Sequence, residues 1–296
     1  MRRISRSAWR LIAGSIMAAL FAACTNATSP SNQLTQLEAA AVGEEVATDA
    51  AALSEGASFN TSSGVPLGIG PMAAAPILPA GTANCSPTKS PASPTNSDGD
   101  PVPDSVRFDF TGCSFSNPPY TATLGGTIDF IDPTPTVTDF ALKTVYTNFS
   151  RSVTNTNTNL TRSAVENGAR TVSGTSSQLQ RSETGFRTDY TFATGATATH
   201  IRTWSATFTA DVAGSIRPDS LPSGDWNLTG TSTWTSGAFS YALSVTTNPQ
   251  LHFNATCTVE PRLDAGTLTA VVTRNGVTTN VTIQFTACGQ YTVTRS

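Results

Sequence analysis

The sequence predicts a mainly β fold: a large antiparallel sheet, strongly curved or split into a β-sandwich, preceded by one N-terminal helix. Three observations carry that prediction. Apolar and polar residues alternate with a period of two over 186–192, 204–212, 226–230, 239–245 and 251–257, so each segment has one face to bury and one to solvate. No helical pattern alternates with these segments, which argues against a parallel sheet built from βαβ units. Only 12% of the residues are charged, while Thr, Ser, Asn and Gly crowd the chain, a composition that suits pleated strands with polar outer faces.

The chain opens on a basic head, with Arg2, Arg3, Arg6 and Arg10 and no acid before residue 11. An apolar run follows over 11–22, and Phe21-Ala22-Ala23-Cys24 closes it with small residues before a cysteine. A basic head, a short apolar run and a small-residue cleavage site make a secretory signal, since the arginines stay on the cytoplasmic side while the run enters the membrane. With cysteine directly after the small pair, the segment resembles a bacterial lipoprotein signal, although Phe21 stands where that family usually has Leu. The resemblance implies cleavage of residues 1–23 and acylation of Cys24. It also implies an outer-membrane destination, because Thr25 is not the aspartate that usually marks retention at the inner membrane.

Residues 24–81 form the next unit, a lipid-anchored tether. Leu34, Leu37, Ala41, Val46, Ala50 and Leu53 recur at near-helical steps, predicting an amphipathic helix over 34–53 that Gly43 weakens. Pro66, Pro71, Pro76 and Pro79 then interrupt an Ala/Gly-rich stretch, which reads as a linker. The β-domain occupies 82–296. Within it, residues 150–180 are polar on both faces and fit either an exposed strand pair or a long loop. Asn275-Gly276 marks a two-residue hairpin. If Arg274 opposes Val277, Ala270 faces Val281 and Leu268 faces Ile283, so turn chemistry and apolar pattern agree.

Beyond Cys24, four cysteines remain: Cys85, Cys113, Cys257 and Cys288. An even number in an exported chain predicts two disulfides, in any of three connectivities. The strand 106–113 echoes 281–288 as V-x-[F/I]-x-F-T-[G/A]-C, each with a second cysteine upstream. A strand over 251–259 lying antiparallel to 266–273 brings Cys257 to the end of the sheet where Cys288 lies. The expectation is therefore Cys257–Cys288, and by the echo Cys85–Cys113.

Asn96-Ser-Asp98-Gly-Asp100-Pro-Val-Pro-Asp104 sets oxygen side chains at alternate positions around a glycine, a pattern able to converge on a hard cation. The run resembles the thrombospondin type 3 calcium repeat. That likeness implies calcium held by Asn96, Asp98, Asp100 and Asp104 with the Val102 carbonyl; the competing reading is a solvated turn. The two histidines are His200, at the opening of a strand, and His252, and both read as surface or structural residues. Trp204, Trp226 and Trp234 fall on apolar strand positions and read as core.

Without residues 1–23 the chain carries 13 basic against 20 acidic residues, a net charge of −7. Lys89 and Lys143 are its only lysines, which argues against nucleic-acid partners. No GxSxG, HExxH or glycine-rich phosphate loop occurs, so no enzyme class is indicated. The expected role is that of a non-catalytic envelope protein, structural, adhesive or binding, whose protein or glycan partner stays unspecified. A carrier of a lipophilic ligand, with the helix as its lid, is the first alternative, and an unrecognised hydrolase the second.

Overall fold

The structure, a computed structural model, describes residues 33–55 and 82–296 apart from 101, 218, 219, 238 and 260. The signal segment, Cys24 and the Pro-rich linker lie outside the described residues. The strands are β1 (Thr82–Asn84), β2 (Thr88–Ser90), β3 (Ser105–Asp109), β4 (Ser114–Asn117), β5 (Tyr120–Ile131), β6 (Phe140–Asn155), β7 (Leu160–Gly174) and β8 (Gln178–Thr191). They continue with β9 (Thr197–Ala210), β10 (Gly224–Ser236), β11 (Phe239–Thr247), β12 (Leu251–Phe253), β13 (Leu263–Ala265), β14 (Thr267–Arg274), β15 (Val277–Ala287) and β16 (Gln290–Arg295).

All sixteen belong to one antiparallel sheet whose main path runs β1-β4-β5-β6-β7-β8-β9-β10-β11-β14-β15-β16, and the sheet does not close into a barrel. A single sheet thus replaces the sandwich alternative. The residues at 150–180 form strands rather than a loop: β6 and β7 pair along most of their length. In the last hairpin Arg274 opposes Val277, Ala270 opposes Val281 and Leu268 opposes Ile283, as turn and pattern require. Asn275 and Gly276 both adopt positive φ there, 51° and 79°, which suits Asn and Gly.

One face of this sheet is buried, and it has to curl to be so. At about 4.8 Å per strand, a twelve-strand path is roughly 50 Å wide, while a 20-residue helix is about 30 Å long. A single helix cannot cover that width. Yet one continuous core joins Val106, Phe108 and Ile128 near one margin to Leu268, Ile283 and Phe285 near the other. A seam of register shifts supplies the bend: shifts fall at 125/127 in β5, 146/149 in β6, 167/170 in β7 and 183/186 in β8, aligned across four neighbouring strands. Bulges increase twist and bend the strand that carries them. At Gly126 (φ 77°) a Cβ would fall 2.1 Å from the Asn148 carbonyl oxygen, so that point of the seam requires glycine.

Helix α1 (Gln36–Glu55), the one helix among the described residues, lies against the buried face. Thr35 and Glu38 cap it reciprocally: the Glu38 amide donates to Thr35 Oγ1 (3.2 Å), and the Thr35 amide to Glu38 Oε2 (2.7 Å). Its buried stripe is Ala39, Val42, Val46, Ala47 and Ala50. Of the expected set, Leu34, Val46 and Ala50 are buried, while Ala41 is half-buried. Gly43 has the opposite role to the one its propensity suggests. A Cβ there would meet the Val293 methyl carbons at 2.6 and 2.7 Å, so glycine permits the close approach of α1 to β16. No helix among the described residues is long and apolar enough to cross a membrane.

Both expected disulfides form, with Cα–Cα distances of 4.2 Å for Cys85–Cys113 and 5.7 Å for Cys257–Cys288. The strand expected over 251–259 is corrected. It ends at Phe253, and β12 pairs with β10 and β13 instead of with β14. Two causes are visible: β11 already occupies the edge of β14, and Asn254 turns the chain by accepting the Thr256 amide on its side chain. Cys257 therefore sits in a loop. The Gly289 amide donates to the Pro261 carbonyl at 2.9 Å, which holds the β15–β16 turn beside that loop and brings Cys288 within bridging distance.

Candidate functional site

Two buried groups of charged side chains stand out, and they differ in how their charges are matched. The first is a belt across the inward face of β7, β8 and β9. Glu166 and Arg170 come from β7, Arg181 and Glu183 from β8, His200 and Arg202 from β9, and Asp49 from α1; all are buried. Period-two alternation puts each on the core side, and the seam of bulges keeps the phase across it, so that Arg170 opposes Glu183. Three arginines face three acids. Arg170 Nε donates to Glu183 Oε2 at 3.0 Å, Arg202 Nε lies 3.4 Å from Glu183 Oε1, and Arg202 Nη1 donates to Asp49 Oδ1. His200 Nε2 lies 3.9 Å from the other Asp49 oxygen.

Aromatic faces complete the belt. The Arg170 guanidinium sits 4.0 Å from the Phe186 ring centroid, and Arg202 5.1 Å from the same ring on a second approach, a geometry that favours a desolvated cation. Burial pushes Glu183 up, but Arg170 and Arg202 outweigh it and hold its pKa below the usual glutamate value. Burial together with neighbouring Arg170 pulls Arg181 down to about 10, still charged at neutral pH. His200 is the fourth residue of β9 and so lies inside the strand, not at its opening.

The second group is the loop at 96–104, whose residues divide into two sets. Asn96 and Asp104 brace the loop itself. Asn96 Oδ1 accepts from the Gly99 amide (2.7 Å), while its Nδ2 donates to the Asp100 carbonyl. Asp104 accepts from the Ser97 amide (2.7 Å) and hydroxyl (2.6 Å). Asp98 and Asp100 turn the other way and are joined by Asp132, from the connection after β5. One carboxylate oxygen from each of the three lies within 4.8 Å of the others. Ser105 opposes Ile131 across the β3–β5 ladder, and the Asp132 amide donates to the Asp104 carbonyl at 3.2 Å, so sheet register delivers Asp132 to the loop. Of the expected ligand set, Asp98 and Asp100 are brought together with Asp132, while Asn96 and Asp104 are hydrogen-bonded to backbone and Ser97 donors within the loop.

Within this group the Oδ2 atoms of Asp98, Asp100 and Asp132 are buried and accept no hydrogen bond. Their Oδ1 atoms accept from the amides of Asp100 (3.1 Å), Val102 (2.6 Å) and Thr134 (2.8 Å) respectively. Burial raises the pKa of Asp100, the Val102 amide lowers it, and Asp98, Asp132 and Asp139 raise it further.

Elsewhere, His252 is half-buried between two acids, with Nδ1 2.6 Å from Asp264 Oδ1 and Nε2 3.2 Å from Asp211 Oδ2. Partial burial lowers its pKa, but the hydrogen bonds to Asp264 and Asp211 outweigh it and hold the value above the ordinary one. Trp204 and Trp226 are core residues, 3% and 0% exposed. Trp234 is half-buried and lies between Tyr190 and Tyr241, at centroid distances of 5.4 and 6.5 Å. The sequence signal missed by inspection is Asp132-Pro-Thr134, a turn former closing a strand, and nothing local links it to a loop thirty residues earlier. No family model matches this chain, and no curated protein or solved structure matches it either.

Proposed function

We propose that this is an exported envelope protein of bacterial type, anchored to the outer membrane through acylated Cys24, with a non-catalytic structural, adhesive or binding role. The observation that carries the reading is the pair of disulfides closing the two margins of the sheet, since such bonds form and persist in oxidising, extracytoplasmic compartments. The Phe21-Ala-Ala-Cys24 sequence supplies the anchor, because several acyl chains make a stable attachment where one gives only marginal binding. The belt supports a non-catalytic role, its charges being matched mainly against one another. The test is Cys24→Ser in a bacterial host: mass spectrometry should show loss of the acyl groups, and fractionation should show release from the membrane. Unchanged mass and fractionation would reject the anchor.

A carrier of a lipophilic ligand is the second reading, favoured by the position of α1 against the buried face. Glu38–Arg274 (2.9 Å) and Asp49–Arg202 tie the helix to the sheet, so cargo would have to displace both ion pairs. Organic extraction of the purified Cys24→Ser protein distinguishes the two readings: stoichiometric lipid favours the carrier, and lipid-free protein the structural role.

A further inference from the structure

We infer that Asp98, Asp100 and Asp132 form a site for a hard divalent cation, calcium in preference to magnesium, which clasps the loop at 96–104 onto the connection between β5 and β6. The argument starts from desolvation. A buried carboxylate is tolerated when it is paired, hydrogen-bonded or bound to a metal. Asp100 and Asp132 are 5% and 3% exposed, each has one buried oxygen that accepts no hydrogen bond, and one carboxylate oxygen from each lies within 4.8 Å of the other and of one from Asp98. Asp98 adds a third such oxygen. Among the described residues, the hydrogen bonds of these aspartates and of neighbouring Asp139 come from backbone amides and the Thr134 hydroxyl, not from lysine or arginine. Like charges gathered out of water repel one another, and a dication between them removes that cost.

The donor set also selects the ion. All three ligands are carboxylate oxygens, which suit calcium, magnesium or manganese over softer metals. They are supplied by two separate loops with no imposed octahedron, and calcium accepts irregular oxygen shells that magnesium resists. The amide of each neighbouring residue already holds the second oxygen of its carboxylate, which orients the free one. This ligand set differs from that of the calcium repeat which residues 96–104 resemble: Asn96 and Asp104 are absent from it, and Asp132 lies outside the run. A contact of the Thr138 hydroxyl with the Asp98 carbonyl (3.2 Å) brings the two loops together without the ion, so the cation locks an approach that the fold already makes.

The test uses the purified full chain after chelator treatment, titrated calorimetrically with calcium chloride and, separately, magnesium chloride. Calcium should bind saturably and more tightly than magnesium. At a hundredfold excess over its dissociation constant it should raise the melting temperature by about 5–10 °C. Asp132→Asn and Asp100→Asn should each weaken calcium binding at least about tenfold, while Asp104→Asn, which loosens the Ser97 brace, should retain it. Circular dichroism establishes that each variant is folded; a variant that is not is replaced by the wild-type titration, which decides by itself. Absence of saturable binding by wild type would overturn the site. Calcium binding that survives Asp132→Asn but not Asp104→Asn would overturn this ligand set in favour of a loop-only one, and tighter magnesium than calcium binding would overturn the choice of ion.

Discussion

The belt and the aspartate cluster are both buried groups of charge in one sheet, and they behave as opposites. In the belt three acids face three arginines, with Glu183 shared between Arg170 and Arg202. In the cluster three acids meet, and among the described residues no arginine or lysine is hydrogen-bonded to them. The difference teaches that burial of charge has a sign as well as a cost. A balanced group is broken by losing a member, and an unbalanced one is relieved by it. The belt also recruits Asp49 from α1, so the helix contributes the third acid that completes the charge balance of the sheet's inward face.

The comparison is open to direct attack. The largest effect is expected at the hub of the belt. Glu183→Ala takes the acid from the Arg170 guanidinium and leaves Arg202 with Asp49, and should lower unfolding free energy by about 3 kcal/mol, read from the urea midpoint at constant m-value. A loss under about 1 kcal/mol would mean that Arg170 reaches solvent or another acid. In the cluster the sign reverses. With chelator present, Asp132→Asn should raise stability by about 1 kcal/mol, since it removes a charge while keeping the Oδ1 that accepts from Thr134; destabilisation in chelator would show that the three carboxylates do not repel. The smallest effect belongs to His252, a matched but half-exposed site. Its folded pKa is raised, so its contribution is fully present below the unfolded value of about 6.5 and is lost as pH rises through the folded value. Discounted for solvent screening, that is roughly 0.5 kcal/mol. His252→Gln should cost that much at pH 5 and nothing at pH 9, and an equal loss at both values would refute charge as the cause.

Legibility in the sequence followed the range of the interaction. Where neighbours in the chain are neighbours in space, residue pattern was enough: the Asn275-Gly276 hairpin sets its own register, and the strand echo carried the expected pairing of Cys257–Cys288 over to Cys85–Cys113, although the strand pairing assumed for Cys257 does not form. The strand over 251–259 failed because a competitor, β11, already filled the edge it was assigned, and local alternation carries no information about occupancy. The expected helix face holds at Leu34, Val46 and Ala50, and what it omitted is Gly43, which looks weakly apolar in a helix pattern yet lets the helix sit against Val293.

The sequence by itself determined the period-two strands, the register of the last hairpin and the hard-acid character of the loop at 96–104, because each rests on short-range periodicity or turn chemistry. Tertiary structure alone decided that arginines and acids on three strands and one helix neutralise each other. It also decided that Asp132, not Asn96 or Asp104, completes the aspartate cluster. A side chain's face follows from its place in a strand, but its partner follows from which strand lies alongside, and the curl of the sheet sets that.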